Sequence, residues 1–211
     1  MTTDQIAKIQ AFFLEAAGQC YAGDLPKTTI AELPGSKVYR FEQGDLLYID
    51  TYFTNDEHSG GQTVIYQDGT PVWLMQYQGL CKNDDPEVLS FLKDALRQTY
   101  CAGVWNNGRG PQEHAKYPYV YDNLVYKGLW EVAGRKGGRF DNFMGIEMIR
   151  DLSTEDHGEG GEMVFHHRYQ GTLLARTEGV ETSAVPDTEA LELPETPANV
   201  FVGPELDEAE H

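Results

Sequence analysis

The sequence predicts an α+β domain in which two helices pack on antiparallel sheet, built from two αβββ units related by a pseudo-twofold axis. A repeated motif carries most of that reading. Val164-Phe165-His166-His167-Arg168-Tyr169-Gln170-Gly171 reads against Val72-Trp73-Leu74-Met75-Gln76-Tyr77-Gln78-Gly79, sharing valine, an aromatic beside it, and a closing Tyr-Gln-Gly. Upstream, Gly145-Ile146-Glu147-Met148-Ile149 matches Gly61-Gln62-Thr63-Val64-Ile65. Each copy also follows a helix-patterned segment that closes on similar residues, Cys20-Tyr21-Ala22-Gly23 and Tyr100-Cys101-Ala102-Gly103, so the helix belongs to the repeat. The units span about residues 1–82 and 83–175.

Taken in order, Ile6, Ile9, Phe12, Phe13 and Ala16 recur at helical spacing, and Thr2-x-x-Gln5 forms a capping box that would satisfy the first free amides. Gly23 is expected to close this helix in the left-handed conformation. Ser36 to Phe53 alternates β-branched and aromatic residues and breaks at Gln43-Gly44-Asp45, a hairpin. Thr54 to Gly61 reads as a polar loop. Asp68-Gly69 suits a tight turn because both residues tolerate positive φ. In the returning strand, alternation puts Trp73, Met75 and Tyr77 on one face. Asp85 then caps a second helix with Pro86 at its first position, where a missing amide costs nothing, and Val88, Leu92, Ala95 and Leu96 line one side. Val104 to Tyr121 is an irregular loop with no counterpart of that length in the first unit. Asp151 to Gly161 is an acidic, glycine-rich loop expected to be mobile. Residues 176–211 are Pro-rich and carry about half the net negative charge; with apolar residues scattered and unable to bury enough surface to offset ordering entropy, they read as a disordered tail.

The 211 residues carry a formal charge of −18, which opposes the phosphate neutralisation that gives nucleic-acid proteins their affinity. No nucleic acid is expected, and a basic protein partner remains compatible. Cys20, Cys81 and Cys101 form an odd set without Cys-x-x-Cys spacing, which points to neither a disulfide framework nor a thiolate zinc site. With no signal peptide and no run of roughly 20 apolar residues, the expectation is a cytoplasmic protein away from membranes.

Gly44-Asp45, Trp73-x-x-x-Tyr77-x-Gly79, Arg109-Gly110-Pro111, Phe143-x-Gly145-x-Glu147 and Tyr169-x-Gly171 together resemble a prokaryotic domain-of-unknown-function family, the 5680 series. The resemblance spans roughly Ile9 to Leu174. Some relatives are carried behind Xre-type helix-turn-helix regulators, which implies a regulatory or ligand-sensing role. It implies no catalytic residues and no cofactor.

Three function classes follow. The first is a small-molecule-binding regulatory or sensor module with a crevice between the repeats, where Tyr48, Tyr52, Trp73, Tyr77, Arg109, Phe143 and Tyr169 are expected to face a ligand. Arg109 would clamp a carboxylate or phosphate, or else pair with one of the many acids. The second is an enzyme. His167 takes Met75's place in the repeat, on an aromatic face, and with Glu147 or Asp141 it would divide acid and base work in hydrolase- or lyase-like chemistry. A buried, hydrogen-bonded core histidine explains the same residue without function. The third is an acidic inhibitor or immunity-type protein meeting a basic partner, on charge alone. No zinc-type histidine spacing is present, and the basic turn from Gly134 to Arg139 lacks the strand-to-helix context of a phosphate loop.

Overall fold

Tight turns set the architecture of the first half. The computed structural model describes residues 1–106, 108–111, 123–129, 131–132, 135–136, 139–153 and 161–175. After helix α1 (Thr3–Gln19) and the short strand β1 (Thr28–Ile30), a four-stranded meander runs through β2 (Leu33–Gln43), β3 (Leu46–Asn55), β4 (His58–Gln67) and β5 (Thr70–Cys81). Each turn holds residues that tolerate positive φ: Gly44 at 63°, Asp56 at 47°, and Asp68 with Gly69 at 48° and 76°. The two hairpins read from Gly44-Asp45 and Asp68-Gly69 are both present. The segment from Thr54 to Gly61 is not a loop: β3 and β4 run through it and leave a turn at Asp56-Glu57.

Helix α2 (Pro86–Ala102) starts at the Asp85 cap with Pro86 first, and ends at Gly103, which is left-handed at φ 66°. Helix α1 has the expected Thr2/Gln5 capping box. Its exit differs from expectation. Asp24 takes the positive φ of 58°, while Gly23 is needed for space, since a Cβ there would stand 2.4 Å from the Gln19 carbonyl oxygen. Strand β6 (Leu124–Leu129), the two-residue pair β7 (Glu131–Val132) and β8 (Arg135–Lys136), β9 (Asn142–Asp151) and β10 (Glu162–Leu173) complete the order. The basic turn therefore lies only partly within the described residues. The same holds for the irregular loop after Val104 and the acidic loop after Asp151, and the acidic tail lies outside them.

The long strands form one antiparallel sheet in the order β1-β2-β3-β4-β5-β10-β9-β6. The last strand of the chain thus returns to the middle and pairs with β5. The helices pack on each other, α1 against β3 and α2 against β6. Phe13 of α1 sits at the centre of this layer, its ring centroid 4.8 Å from Trp73, 5.9 Å from Tyr100 and 6.4 Å from Tyr48. Burying such a ring contributes about 1.5–3 kcal/mol, so the aromatic layer fixes the helices over one face of the sheet. On the other face Gln62, Gln76, Gln78, Arg168 and Gln170 are exposed, the alternation of a sheet covered on one side. Among the described residues no helix is long and apolar enough to cross a membrane.

Candidate functional site

Directly paired residues of an antiparallel sheet point to the same face. The ladder therefore lays out one row across six strands: Thr54, Ser59, Gly79, His167, Glu147 and Gly128, from β3 to β6. Ser59 and His167 are two strands apart, roughly 10 Å between backbones at about 4.8 Å per strand. The imidazole crosses that gap because Gly79 leaves the floor empty between them. A Cβ on Gly79 would lie 2.4 Å from His167 Cδ2 and 1.8 Å from the His166 carbonyl oxygen.

The ring that results is polar at both ends. His167 Nε2 is 2.8 Å from Ser59 Oγ, and Nδ1 is 3.6 Å from Glu147 Oε1. Glu147 is wholly buried. Its Oε2 accepts from the Tyr126 hydroxyl at 2.9 Å, and its Oε1 faces Arg109 Nη1 at 3.1 Å. Arg109 reaches this point from the segment after α2. Gly110 makes the approach possible, since a Cβ there would stand 1.9 Å from the Tyr126 hydroxyl. The guanidinium lies over the Tyr77 ring, 4.7 Å from its centroid. Tyr77 in turn stacks on His167 at 5.9 Å, and its hydroxyl donates to Asp50 Oδ1 at 2.8 Å. Thr63 donates to the same oxygen at 2.9 Å.

The two buried carboxylates are driven apart electrostatically. Burial opposes the ionisation of Glu147, but Arg109, His167 and the Tyr126 hydroxyl outweigh it and hold its carboxyl below the ordinary value. Burial of Asp50 prevails over the hydrogen bonds from Tyr77 and Thr63 and over Arg109, and its carboxyl is raised. Burial also prevails at His167, over the attraction of Glu147, and lowers its pKa, so the ring is neutral at pH 7. Arg109 Nε and Nη1, Glu147 Oε1 and His167 Nδ1 are buried with no hydrogen-bond partner among the described residues, and the 3.6 Å between Nδ1 and Oε1 is too long for one.

The row opens into a cavity of about 200 Å³ between sheet and helices, with Asp50, Ser59, Tyr77, Arg109 and His167 on its wall. Lys27, Lys37 and Lys93 come to it from three separate elements. Lys37 Nζ donates to Thr54 Oγ1 at 2.7 Å, next to Ser59 in the row. Each lysine lies near a tyrosine ring: Lys27 near Tyr39, Lys37 near Tyr52, and Lys93 near Tyr21. Burial first, then the charges of Lys93 and Lys37, lower the pKa of Lys27. Asp56, Glu57 and Asp84 also line the cavity, and Lys93 pairs with Asp24. Among the described residues no group of three or more histidine, cysteine or acidic side chains is placed to hold a metal ion.

Residues 50–174, more than half of the chain, match the family described as a domain of unknown function, DUF5680. The chain belongs to the DUF5680 family. The match begins within β3 rather than near Ile9, so the DUF5680 region holds Asp50, Ser59, Tyr77, Arg109, Glu147 and His167 together, while α1, Lys27 and Lys37 lie before it. No curated protein and no solved structure matches the chain.

Of the residues singled out from sequence, Tyr48, Tyr52, Tyr77, Arg109 and His167 line the cavity of this DUF5680 protein, and Glu147 stands behind His167 and Arg109. Trp73, Phe143 and Tyr169 are not on its wall. They belong to the aromatic core, where Trp73 stacks on Phe140 and Phe143 at 4.9 and 5.8 Å, and Phe143 meets Tyr169 at 6.2 Å. Asp141 is held by Arg139 at 2.6 Å. It lies six residues from Glu147 along the chain, roughly 20 Å at about 3.3 Å per residue, and is not brought to His167. Ser59, Asp50, Tyr126 and the three lysines carry no local sequence signal and come into view only through the strand register.

Proposed function

We propose that this domain binds a small organic anion, a carboxylate or phosphate ester of metabolite size, in the cavity between the helices and the sheet. The single observation that carries the reading is the lysine cluster. In a chain of net charge −18, Lys27, Lys37 and Lys93 meet at one cavity, from separate elements and close enough for mutual repulsion to be felt at Lys27. Asp56, Glu57 and Asp84 line the same cavity and Lys93 pairs with Asp24, so the ligand's anionic group is expected to meet the ammonium groups directly rather than a net positive field. At about 200 Å³ the cavity suits a ligand smaller than a typical drug. Tyr21, Tyr48 and Tyr52 supply apolar walls, and Arg109 the charge at depth.

We also read the cavity as the junction of two duplicated αβββ units. In the last strand of each unit, sequence counterparts lie 92 positions apart, as Tyr77 and Tyr169 do (169 − 77), and those two tyrosines are direct partners across β5 and β10. Met75 is opposite Gly171 where His167 is opposite Gly79. A twofold axis between the tyrosines exchanges these two pairs, which supports an ancestral repeat whose second copy gained a titratable ring.

Thermal shift with paired ligands tests the binding. Small mono- and dicarboxylates and organic phosphates are expected to raise the melting temperature, and their neutral amides and alcohols to leave it alone. An anion at 100 times its Kd adds about 2.7 kcal/mol, or roughly 5–10 °C. In the K27M/K37M/K93M variant the shift should vanish. Equal shifts from neutral and anionic members, or an unaltered shift in the triple variant, would refute the reading.

A further inference from the structure

We propose that Ser59 is a nucleophile, activated by His167 and Glu147, that hydrolyses a small carboxylic ester bearing an anionic group. The proposal rests on the cavity reading above for its substrate class and on a separate observation for its chemistry: Glu147, His167 and Ser59 stand in line across the sheet. Ser59 Oγ is 2.8 Å from Nε2, and Glu147 Oε1 is 3.6 Å from Nδ1, the longer contact being within the looseness of a ligand-free site. An ionised Glu147 fixes the tautomer. The proton sits on Nδ1 facing the carboxylate, which leaves Nε2 with its lone pair toward the serine hydroxyl.

Three features raise this above a satisfied core histidine. Gly79 removes the one side chain that would separate ring from hydroxyl, at the middle of the sheet. Ser59 and His167 both line the cavity, while Glu147 is fully buried behind them, so nucleophile and base are reachable and the orienting group is not. Lys37, hydrogen-bonded to Thr54, which is the direct partner of Ser59 one strand over, gives the substrate's anionic group a partner.

The steps balance without a further reagent. Oγ attacks the ester carbonyl carbon as its proton passes to Nε2. The carbon–oxygen bond to the alcohol breaks, the leaving oxygen takes the proton from Nε2, and an acyl-Ser59 remains. Water then attacks the acyl carbon while Nε2 accepts its proton. The bond to Oγ breaks, Oγ regains that proton, and the acid leaves. The sum is ester plus water giving acid plus alcohol.

A small dialkyl fluorophosphate, which phosphorylates activated serines with loss of fluoride, reads this directly on the full chain. One adduct is expected by intact mass, mapped by peptide sequencing to Ser59, absent in S59A and formed at least about a hundredfold more slowly in H167Q. The 4-nitrophenyl monoester of a small dicarboxylic acid should be cleaved faster than 4-nitrophenyl acetate, with the preference lost in K37M. Folded wild type that takes no adduct at Ser59, or H167Q that labels as fast as wild type, overturns the proposal. Mapping on wild type decides the matter even if a variant fails to fold. Running the anion thermal shift on the same samples separates the two readings: shift without adduct removes the nucleophile and keeps the binding site, and absence of both removes both.

Discussion

Gly79→Ala bears on both the fold and the site. The added methyl would stand 1.8 Å from the His166 carbonyl oxygen and 2.4 Å from His167 Cδ2, against an ordinary contact of 3.4–4 Å. The oxygen is backbone, so β5 and β10 would have to part locally by roughly 1.6 Å (3.4 − 1.8) in the middle of the sheet. Overpacking of this kind costs about 1–3 kcal/mol. An unyielding backbone neighbour argues for the upper end, which exceeds the gain of about 0.5–1 kcal/mol that alanine brings to an unstrained strand. The expected net loss of about 2–2.5 kcal/mol lowers the melting temperature by roughly 4–10 °C for a domain of this size. Urea unfolding measures it, and fluorophosphate labelling of the folded fraction should fall as His167 is pushed off Ser59. A G79A protein as stable as wild type within about 0.5 kcal/mol, labelled at the same rate, would refute the account of how the row is built.

Other expectations follow from the same geometry. R109M strands the buried Glu147 charge and should cost about 3–5 kcal/mol in urea unfolding, most of it recovered in R109M/E147L. Glu147 has a folded pKa below its ordinary value of 4.5, so its contribution is complete above pH 4.5 and lost as pH falls through the folded value. His167, lowered from 6.5, adds stability that is complete above pH 6.5 and declines below it. Asp50 acts in the opposite sense: its folded pKa is raised, so it penalises folding above that value and the penalty disappears below 3.8. D50N should therefore gain on wild type as pH rises from 4 to 8 in a series of urea melts. Burial pushes Cys20 up to about 12 and Cys81 up to about 11, whereas Cys101 is exposed. A thiol reagent at pH 8 should find one fast cysteine in the native protein and three in urea. Removing residues 176–211, whose sequence lacks a periodic apolar face, should leave the melting temperature unchanged.

How much of this was legible depended on whether the signal was local. Turn chemistry at Gly44-Asp45 and Asp68-Gly69, and caps at Thr2, Asp85 and Gly103, involve neighbours in sequence, and each was read correctly. Alternation correctly put His167 on the face of Phe165 and Tyr169. The β5–β10 pairing joins residues about ninety positions apart and leaves no local trace beyond the repeat. Ser59 was hidden for the same reason: His58-Ser59-Gly60-Gly61 has no apolar alternation, and only pairing with β3 and β5 makes it strand. Arg109 was singled out as a clamp or an ion pair, yet nothing near it in sequence indicated Glu147 as its partner. Trp73, Phe143 and Tyr169 looked like a ligand face because aromatic core and aromatic pocket share one alternation pattern, and only their packing on one another, with Trp73 against Phe13 of α1, separates them.

A crystal structure of the full chain grown with a saturating small dicarboxylate tests the central claim most directly. The account predicts the molecule in the cavity between α1, α2 and the sheet, with a carboxylate within about 3 Å of Lys37 or Lys93 and no disruption of the Arg109–Glu147 pair. A cavity holding only water at that concentration, or an anion bound elsewhere on the protein, would contradict it.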